Sequence, residues 1–556
     1  VVLPAIPGTC VQNNNSQTKR VHHTTGTVLI MTEVRCSKSG GHLGLFALKD
    51  FSVGDVILEE NPVVRFAPPN DEASRELLSE WKNGSSKEVP KTAGKPKTLW
   101  SWIKPPPSNL VPSHLHGTFK GMVQAGIVFI KSYQDSTGIE QKKLDSLLEL
   151  YYPTKDSTSD AEKNVINVAD EAILFLKQHI TTTKTTGKIF SGFDDWDKLH
   201  NIILIWACNS FQGGRVYPKI SRVNHSCNPN ALIQTSDAGQ KDSDNDGKNE
   251  GQKLLAATKI EKGSEICISY LGLFLYTDTV VRRKRLERTK FFHCACPRCT
   301  DASSTGEEGA AQIPCLTSHP RDPQMSLDED VQYDDDQTVK YISFVSTALK
   351  EGADDEKLVK ILRSVCGKIE LFLDAFDDGQ TKNGTNTRNE DEEENDAIFD
   401  EHASLASTMM GDRHWTTNLT LLLHLDRRLK AMSQHMIVTQ ELPEEDEIAE
   451  SIDSLQRVSR FVDSLKLDMD PGHLLGDVTI GTARMLISLG DEKSQKYGAE
   501  WLSKIEDYVN YFSNTGVQKV VSVLKVAWKK HSRSDDAADD DGFSSKKKKK
   551  KKAKIL

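Results

Sequence analysis

Cys294, Cys296 and Cys299 lie within six positions of one another, in the segment Phe291-Phe292-His293-Cys294-Ala295-Cys296-Pro297-Arg298-Cys299. Thiolates at this spacing are ligands for a tetrahedral ion such as zinc, and a structural zinc site needs four. No fourth cysteine stands close by in sequence; Cys227, isolated in a polar segment, is the long-range candidate. A tetrahedron closed by Cys227 would tie that segment to the far end of the strand region. The alternative is three free thiols.

Cys227 belongs to Arg222-Val223-Asn224-His225-Ser226-Cys227-Asn228-Pro229-Asn230. Polar residues this dense, flanked by strands, either satisfy one another as Asx turns or present donors and acceptors to a ligand, and composition leaves both open. A third element, Gly263-Ser264-Glu265-Ile266-Cys267-Ile268-Ser269-Tyr270, reads as a turn feeding a strand that ends in a tyrosine. A lone strand tyrosine is ordinarily a packing residue. Asp242-Ser243-Asp244-Asn245-Asp246-Gly247 imitates the start of a calcium loop, but Lys253 stands at the twelfth position, where a bidentate Glu is required. It reads as a flexible loop.

Short elements must position these residues. Val28 to Val34, Leu43 to Phe51 and Val56 to Leu58 read as strands separated by glycine-bearing turns, and further strands are expected at Ala231 to Thr235 and Leu254 to Thr258. Between Pro68 and about Asp195 the pattern turns helical. Val165, Val168, Ala172, Phe175 and Leu176 share one face, and Trp196, Leu199, Ile203 and Trp206 share another. This stretch reads as a helical insertion within the β unit. Beyond Cys299 the pattern is mainly helical, with Leu455, Val458, Phe461 and Leu465 as one stripe. Thr416 to Lys430, Ile448 to Lys466 and Val478 to Leu489 are candidate stacked hairpins.

The chain has 556 residues, enough for two or three domains. Its hydrophobic fraction of 37% and charged fraction of 27% suit a globular protein with polar linkers. A net charge of −9 speaks against a whole-protein nucleic-acid binder. Ten cysteines are too few for a secreted disulfide scaffold, so a reducing compartment is expected. No apolar run has the length of a membrane span, and residues 1–30 show no secretory signal pattern. Acidic runs occupy Glu390 to Glu394 and Asp535 to Asp541, and Lys546 to Lys552 form a basic tail. That tail is either solvated low complexity or a signal for nuclear import or for binding an acidic partner.

Taken in order, Asn-His-Ser-Cys-x-Pro-Asn, Gly-x-Glu-Ile-x-Ile-Ser-Tyr and Cys-x-Cys-x-x-Cys resemble the core and post-SET signature of SET-domain protein-lysine methyltransferases. Gly44-Leu45-Phe46-Ala47, Gly54-Asp55-Val56-Ile57-Leu58-Glu59-Glu60 and Pro62 look like that family's first strands. Cys208-Asn209-Ser210-Phe211 ahead of Tyr217-Pro218 is similar to the SET- and MYND-domain subfamily, especially its arthropod branch. Matches run roughly from Gly40 to Cys299. The resemblance implies an α+β fold: a SET β-clip of short strands with a helical insertion, a zinc-bound post-SET segment and an all-α, helical-repeat-like C-terminal domain.

The implied division assigns 1–24 to no domain and 25–66 to the first SET strands. Residues 67–200 form the insertion, 201–275 the SET core and 276–302 the post-SET zinc segment. The helical domain follows at 303–530, with an acidic linker at 377–396, and the tail at 531–556.

The resemblance also implies roles. Gly40, Gly44, Leu45, Asn209, Asn224, His225, Tyr270 and Phe292 would line a pocket for S-adenosylmethionine. Tyr270 would stand where the methyl is transferred, and Cys227, Cys294, Cys296 and Cys299 would bind one structural zinc. A lysine amine has a solution pKa of about 10.4, so roughly 0.1% is nucleophilic at neutral pH; a narrow apolar channel favours that form by desolvation. Substrates would be proteins carrying target lysines, histone or otherwise. Further protein partners would dock on the C-terminal helices, with no membrane and no direct nucleic-acid partner, and the location would be cytoplasm, nucleus or both.

Departures from the family pattern are also present. His42 and Leu43 replace a second glycine and an arginine, and Lys290 stands where a second tyrosine often precedes the post-SET phenylalanines. The Cys/His series of a MYND finger is not found after Phe66 or before Gly40, where Cys10 and Cys36 stand alone, and beyond Cys299 only Cys315 follows the arthropod pattern of paired cysteines. Lys290 sustains a competing reading, a catalytically weak or inactive SET scaffold that binds protein partners. A zinc-dependent nucleic-acid binder is a third reading, disfavoured by the overall acidity.

Overall fold

The structure, a computed structural model, describes residues 31–37, 43–65, 103–157, 159–182, 193–211, 214–235, 251–300, 414–439, 441, 443–469, 472–489, 492–512 and 517–526. Gly40, the calcium-like loop, the acidic linker 377–396 and the lysine tail fall outside these residues. The chain divides into two units: Val1–Tyr270 with Arg283–Cys296, and Leu271–Arg282 with Pro297–Leu556.

In the first unit, β1 (Thr32–Cys36), β2 (Leu43–Ala47), β9 (Glu265–Ile268) and β6 (Asn224–His225) make one sheet in the order β1-β2-β9-β6. β1, β2 and β9 pair antiparallel, whereas β6 runs parallel to β9, Asn224 opposite Cys267 and His225 opposite Ile268. A second sheet joins β3 (Val56–Glu60), β8 (Gln252–Ala256) and β7 (Ala231–Thr235); β4 (Val64–Arg65) pairs with β5 (Arg215–Val216). Alternating burial along β9 sends Ile266 and Ile268 into a core with Leu45, Phe51, Val223 and Leu254. Gly54 and Gly263, at φ 84° and 88°, take the left-handed turns before β3 and β9, where a side chain would be strained.

The expected insertion lies between β4 and β5. It comprises α1 (His116–Asp135), α2 (Ile139–Ser146), α3 (Asp160–Thr182) and α4 (Trp196–Asn209). Val165, Val168, Ala172 and Leu176 of α3 meet Leu199 and Ile203 of α4 and Phe119, Met122 and Phe129 of α1 in one core. Asp195 caps α4 by accepting the Lys198 backbone N–H at 3.1 Å. At Gly121 an added methyl would sit 2.2 Å from the Trp206 ring, so glycine lets α1 and α4 approach.

Some expectations shift. The strand expected at Leu254 to Thr258 begins two residues earlier and ends at Ala256, because its pairing with Ala231–Thr235 fixes the register at Gln252–Ala256. β9 stops at Ile268, so Tyr270 follows the strand instead of ending it. Cys36 is disulfide-bonded.

In the second unit the described helices include α6 (Pro297–Thr300), α7 (Trp415–Thr439), α8 (Glu445–Ser464), α9 (Gly472–Leu489) and α10 (Glu492–Lys504); α7 and α9 span the segments expected at Thr416 to Lys430 and Val478 to Leu489, and α8 stops two residues short of Lys466. Leu455, Val458, Phe461 and Leu465 are all buried, as their spacing requires. Glu447 accepts the Glu444 backbone N–H at 3.3 Å, half of a capping box that starts α8. Among the described residues no helix is long and apolar enough to cross a membrane.

Candidate functional site

The polar segment 222–230 divides by position into two kinds of residue. Asn230 is structural: its side-chain amide donates to Glu265 O at 2.9 Å and its Oδ1 accepts the Cys267 N–H at 2.8 Å. Ser226 Oγ donates to Asn228 O and accepts the Asn228 N–H, closing a local turn. These residues satisfy the loop from within. Asn224 and His225, on the edge strand β6, are held instead by groups outside it.

Asn224 donates to Glu265 Oε1 at 2.8 Å, while Glu265 Oε2 accepts from Ser37 Oγ at 2.9 Å. Gly44 lies over this pair: a methyl there would sit 2.4 Å from Glu265 Oε1 and 2.7 Å from Asn224 Nδ2. Sequence reasoning passed over Glu265 as a site residue. The signal was available, since a half-buried acidic residue at the head of a short strand needs a partner. Glu60 has the same character. Its carboxylate accepts the Lys219 and Ile220 backbone N–H groups at 3.0 and 2.9 Å, fixing the turn that leads into β6. Burial pushes its pKa up, against those hydrogen bonds.

His225 is 9% exposed. Its Nδ1 accepts the Tyr270 backbone N–H at 3.1 Å, so in the neutral ring the proton sits on Nε2, which faces Cys227 Sγ at 3.2 Å. This one imidazole links the tyrosine to the cysteine cluster. The Tyr270 hydroxyl donates to Val223 O at 2.5 Å, and burial drives the phenol pKa well above its ordinary value, with Cys267 and Glu265 adding to the shift. The Tyr270 ring packs edge-on to Phe292 at 6.4 Å between centroids, and Phe292 lies 6.0 Å from the His225 ring. Tyr270, His225 and Phe292 thus form one aromatic cluster.

Lys290 enters the same cluster. It is the last residue of α5 (Thr279–Lys290); its ammonium lies 5.5 Å from the Tyr270 ring centroid and donates to Ser210 O at 3.4 Å. Burial pulls its pKa down; Cys208 opposes that shift and Arg285 adds to it. Burial in turn pushes the Cys208 thiol up to about 12.

Asn209 and Leu45 stand apart from this cluster by their contacts. Asn209 ends α4 and donates to Tyr151 O at 2.7 Å and Ile205 O at 2.9 Å. Leu45 is 1% exposed with its side chain in the β core, and it pairs with both Val34 and Ile266.

The sulfurs of Cys227, Cys294, Cys296 and Cys299 lie within 4.8 Å of one another, and all four residues are buried. Cys227 and Cys294 are 4.0 Å apart. A tetrahedral ion with bonds of about 2.3 Å to sulfur sets edges of about 3.8 Å, so the donor set fits zinc in both chemistry and size. Four thiolates around a divalent ion leave excess negative charge, and a buried excess needs nearby donors. His225 Nε2 supplies one to Cys227, and Arg282, itself fully buried, reaches Cys299 Sγ at 3.7 Å.

Residues 42–271 match the family model described as "SET domain". The chain is 28% identical to mouse histone-lysine N-methyltransferase SMYD3 over 185 residues, covering 31% of this chain and 38% of that protein. It is 28% identical to zebrafish N-lysine methyltransferase SMYD2-A over 155 residues, 26% of this chain and 30% of that protein. It is 40% identical to a SET and MYND domain-containing protein of Dictyostelium discoideum over 106 residues, 18% and 22% of the two chains. The matches span at most about two fifths of these relatives' length.

Proposed function

We propose that this chain, whose residues 42–271 match the SET-domain model, is an S-adenosylmethionine-dependent protein-lysine methyltransferase of the SET- and MYND-domain type. The observation that carries the reading is the meeting of Tyr270, His225 and Phe292 beside β6, one imidazole removed from the four-cysteine cluster.

S-adenosylmethionine, when bound, supplies an electrophilic methyl on a sulfonium. Asn224 and His225 would hold it through their edge-strand backbone, and Phe292 through its ring face. Gly44 would contribute by close backbone approach and Asn209 from the end of α4. Gly40 is assigned with them on the sequence motif. Leu45 would contribute backbone only, because its side chain is spent in the core. Cys227, Cys294, Cys296 and Cys299 would hold a zinc that takes no part in transfer and fixes the segment carrying Phe292.

Tyr270 does the positioning. Its hydroxyl proton is given to Val223 O, which leaves the oxygen lone pairs free to accept from an incoming amine N–H. Because burial keeps the phenol protonated, the oxygen orients the amine without adding a full charge. The desolvated surroundings favour the neutral, nucleophilic amine. Tyr270→Phe should lower transfer of labelled methyl to protein substrates by about 100-fold while leaving cofactor affinity within a few-fold. Undiminished transfer in that variant would sink the assignment.

Substrates would be lysine-bearing proteins, histone or non-histone, with further partners on the helices of the second unit. The basic tail supports a nuclear as well as a cytoplasmic location. Lys290 favours a second reading, a SET scaffold that binds cofactor without turnover, because it sets an amine against Tyr270. Cofactor binding without transfer to any protein would favour that reading.

A further inference from the structure

Lys290 places an amine of the protein's own chain beside the group assigned to orient a substrate amine. Its Nζ is 5.5 Å from the Tyr270 ring centroid and keeps one long hydrogen bond, 3.4 Å, to Ser210 O. The groups that bear on its charge are Cys208 and Arg285, and neither is a carboxylate. The backbone holds it there. Phe291, the next residue, takes φ 64°, a left-handed conformation costly for an aromatic residue. That reversal buries Phe291 in the insertion core and turns Phe292 against His225 and Tyr270. Lys290 is therefore pinned between a helix end and two seated rings.

We propose that Lys290 is an internal substrate: the chain methylates its own Lys290 in cis, and the amine of Lys290 competes with protein substrates for the place beside Tyr270. The inference rests on the methyltransferase reading above. In the step, the neutral Lys290 nitrogen uses its lone pair to form an N–C bond to the sulfonium methyl. The C–S bond breaks with its electron pair going to sulfur, releasing S-adenosylhomocysteine, and the extra proton on nitrogen passes to water. Desolvation supplies the neutral amine, which the burial of Lys290 favours. The donor is the cofactor of the proposed activity, so no further reactant is needed.

The test uses the full chain with S-adenosylmethionine carrying a deuterated methyl, and reads label at Lys290 by peptide mapping and mass spectrometry. Label at Lys290 should appear at a rate independent of protein concentration and fall about 100-fold in Tyr270→Phe, with cofactor binding by calorimetry retained. Lys290→Arg should lose that label and alter transfer to added protein substrates. Bound cofactor and labelled protein substrates with Lys290 unlabelled would overturn the inference while leaving the methyltransferase reading intact. Label that persists unchanged in Tyr270→Phe would overturn it as well. No cofactor binding at all would overturn the underlying reading and this inference together.

Discussion

An added methyl at Gly44 would meet Glu265 Oε1 at 2.4 Å and Asn224 Nδ2 at 2.7 Å, two members of one hydrogen bond. Neither partner is free to retreat, since Glu265 also holds Ser37 and Asn224 sits in β6. Gly44→Ala should therefore break the Asn224–Glu265 contact and cost about 1–3 kcal/mol, the range of an overpacked site. If β6 presents the cofactor, the variant should also lose about tenfold or more in cofactor affinity, as calorimetry would read; unchanged affinity would separate β6 from cofactor binding. This glycine was legible in the sequence only through its motif, because nothing local says that a carboxylate 221 positions later closes over it. Tyr270 shows the same limit. Its type and place read as packing, its proposed role comes with the motif, and its contacts with Val223 and His225 are seen only in the fold.

At the scale of elements, spacing was informative wherever a face is buried. The stripe on α3 and the stripe on α8 lie in cores as their periodicity requires. Strand ends were less legible because pairing decides them: β8 is set by β7 and β3, and β9 stops where β6 stops. The cysteine segment is the extreme case. Residues 291–300 contain one turn of helix and little apolar surface beyond Phe291 and Phe292, so their place depends largely on what the thiols bind. Cys227→Ser should remove the bound metal, taking zinc per chain from one toward zero in native mass spectrometry. It should also weaken cofactor binding, because Phe292 is two residues from Cys294 and Cys227 contacts His225. A chelator added to the unaltered protein should reproduce both effects. Full metal content in Cys227→Ser would refute the four-sulfur site.

For the molecule as a whole, the division into two units is not written at any linker visible in the sequence, because Leu271–Arg282 belongs with the second unit although it follows Tyr270 directly. One tie between that segment and the rest of the second unit is a carboxylate. Asp278 Oδ1 accepts the Val281 N–H at 2.9 Å, and Oδ2 accepts the indole N–H of Trp415 at 2.9 Å, where Trp415 is fully buried at the start of α7. No sequence pattern links positions 278 and 415. Burial raises the Asp278 pKa, outweighing those hydrogen bonds and the pull of Arg282. The folded unit thus keeps the proton to a higher pH than the unfolded chain, whose carboxyl titrates near about 3.9. Its contribution to stability is fully present below that value and is lost as pH rises through the raised folded pKa. Asp278→Asn cannot ionise, so denaturation midpoints followed from about pH 4 to about pH 8 should lose that part of the downward slope. The variant should also be less stable by about 1 kcal/mol at the acid end, since an amide replaces one of two acceptors. A slope identical to that of the unaltered chain would mean that Asp278 is ionised in the fold and that the indole N–H donates to a carboxylate.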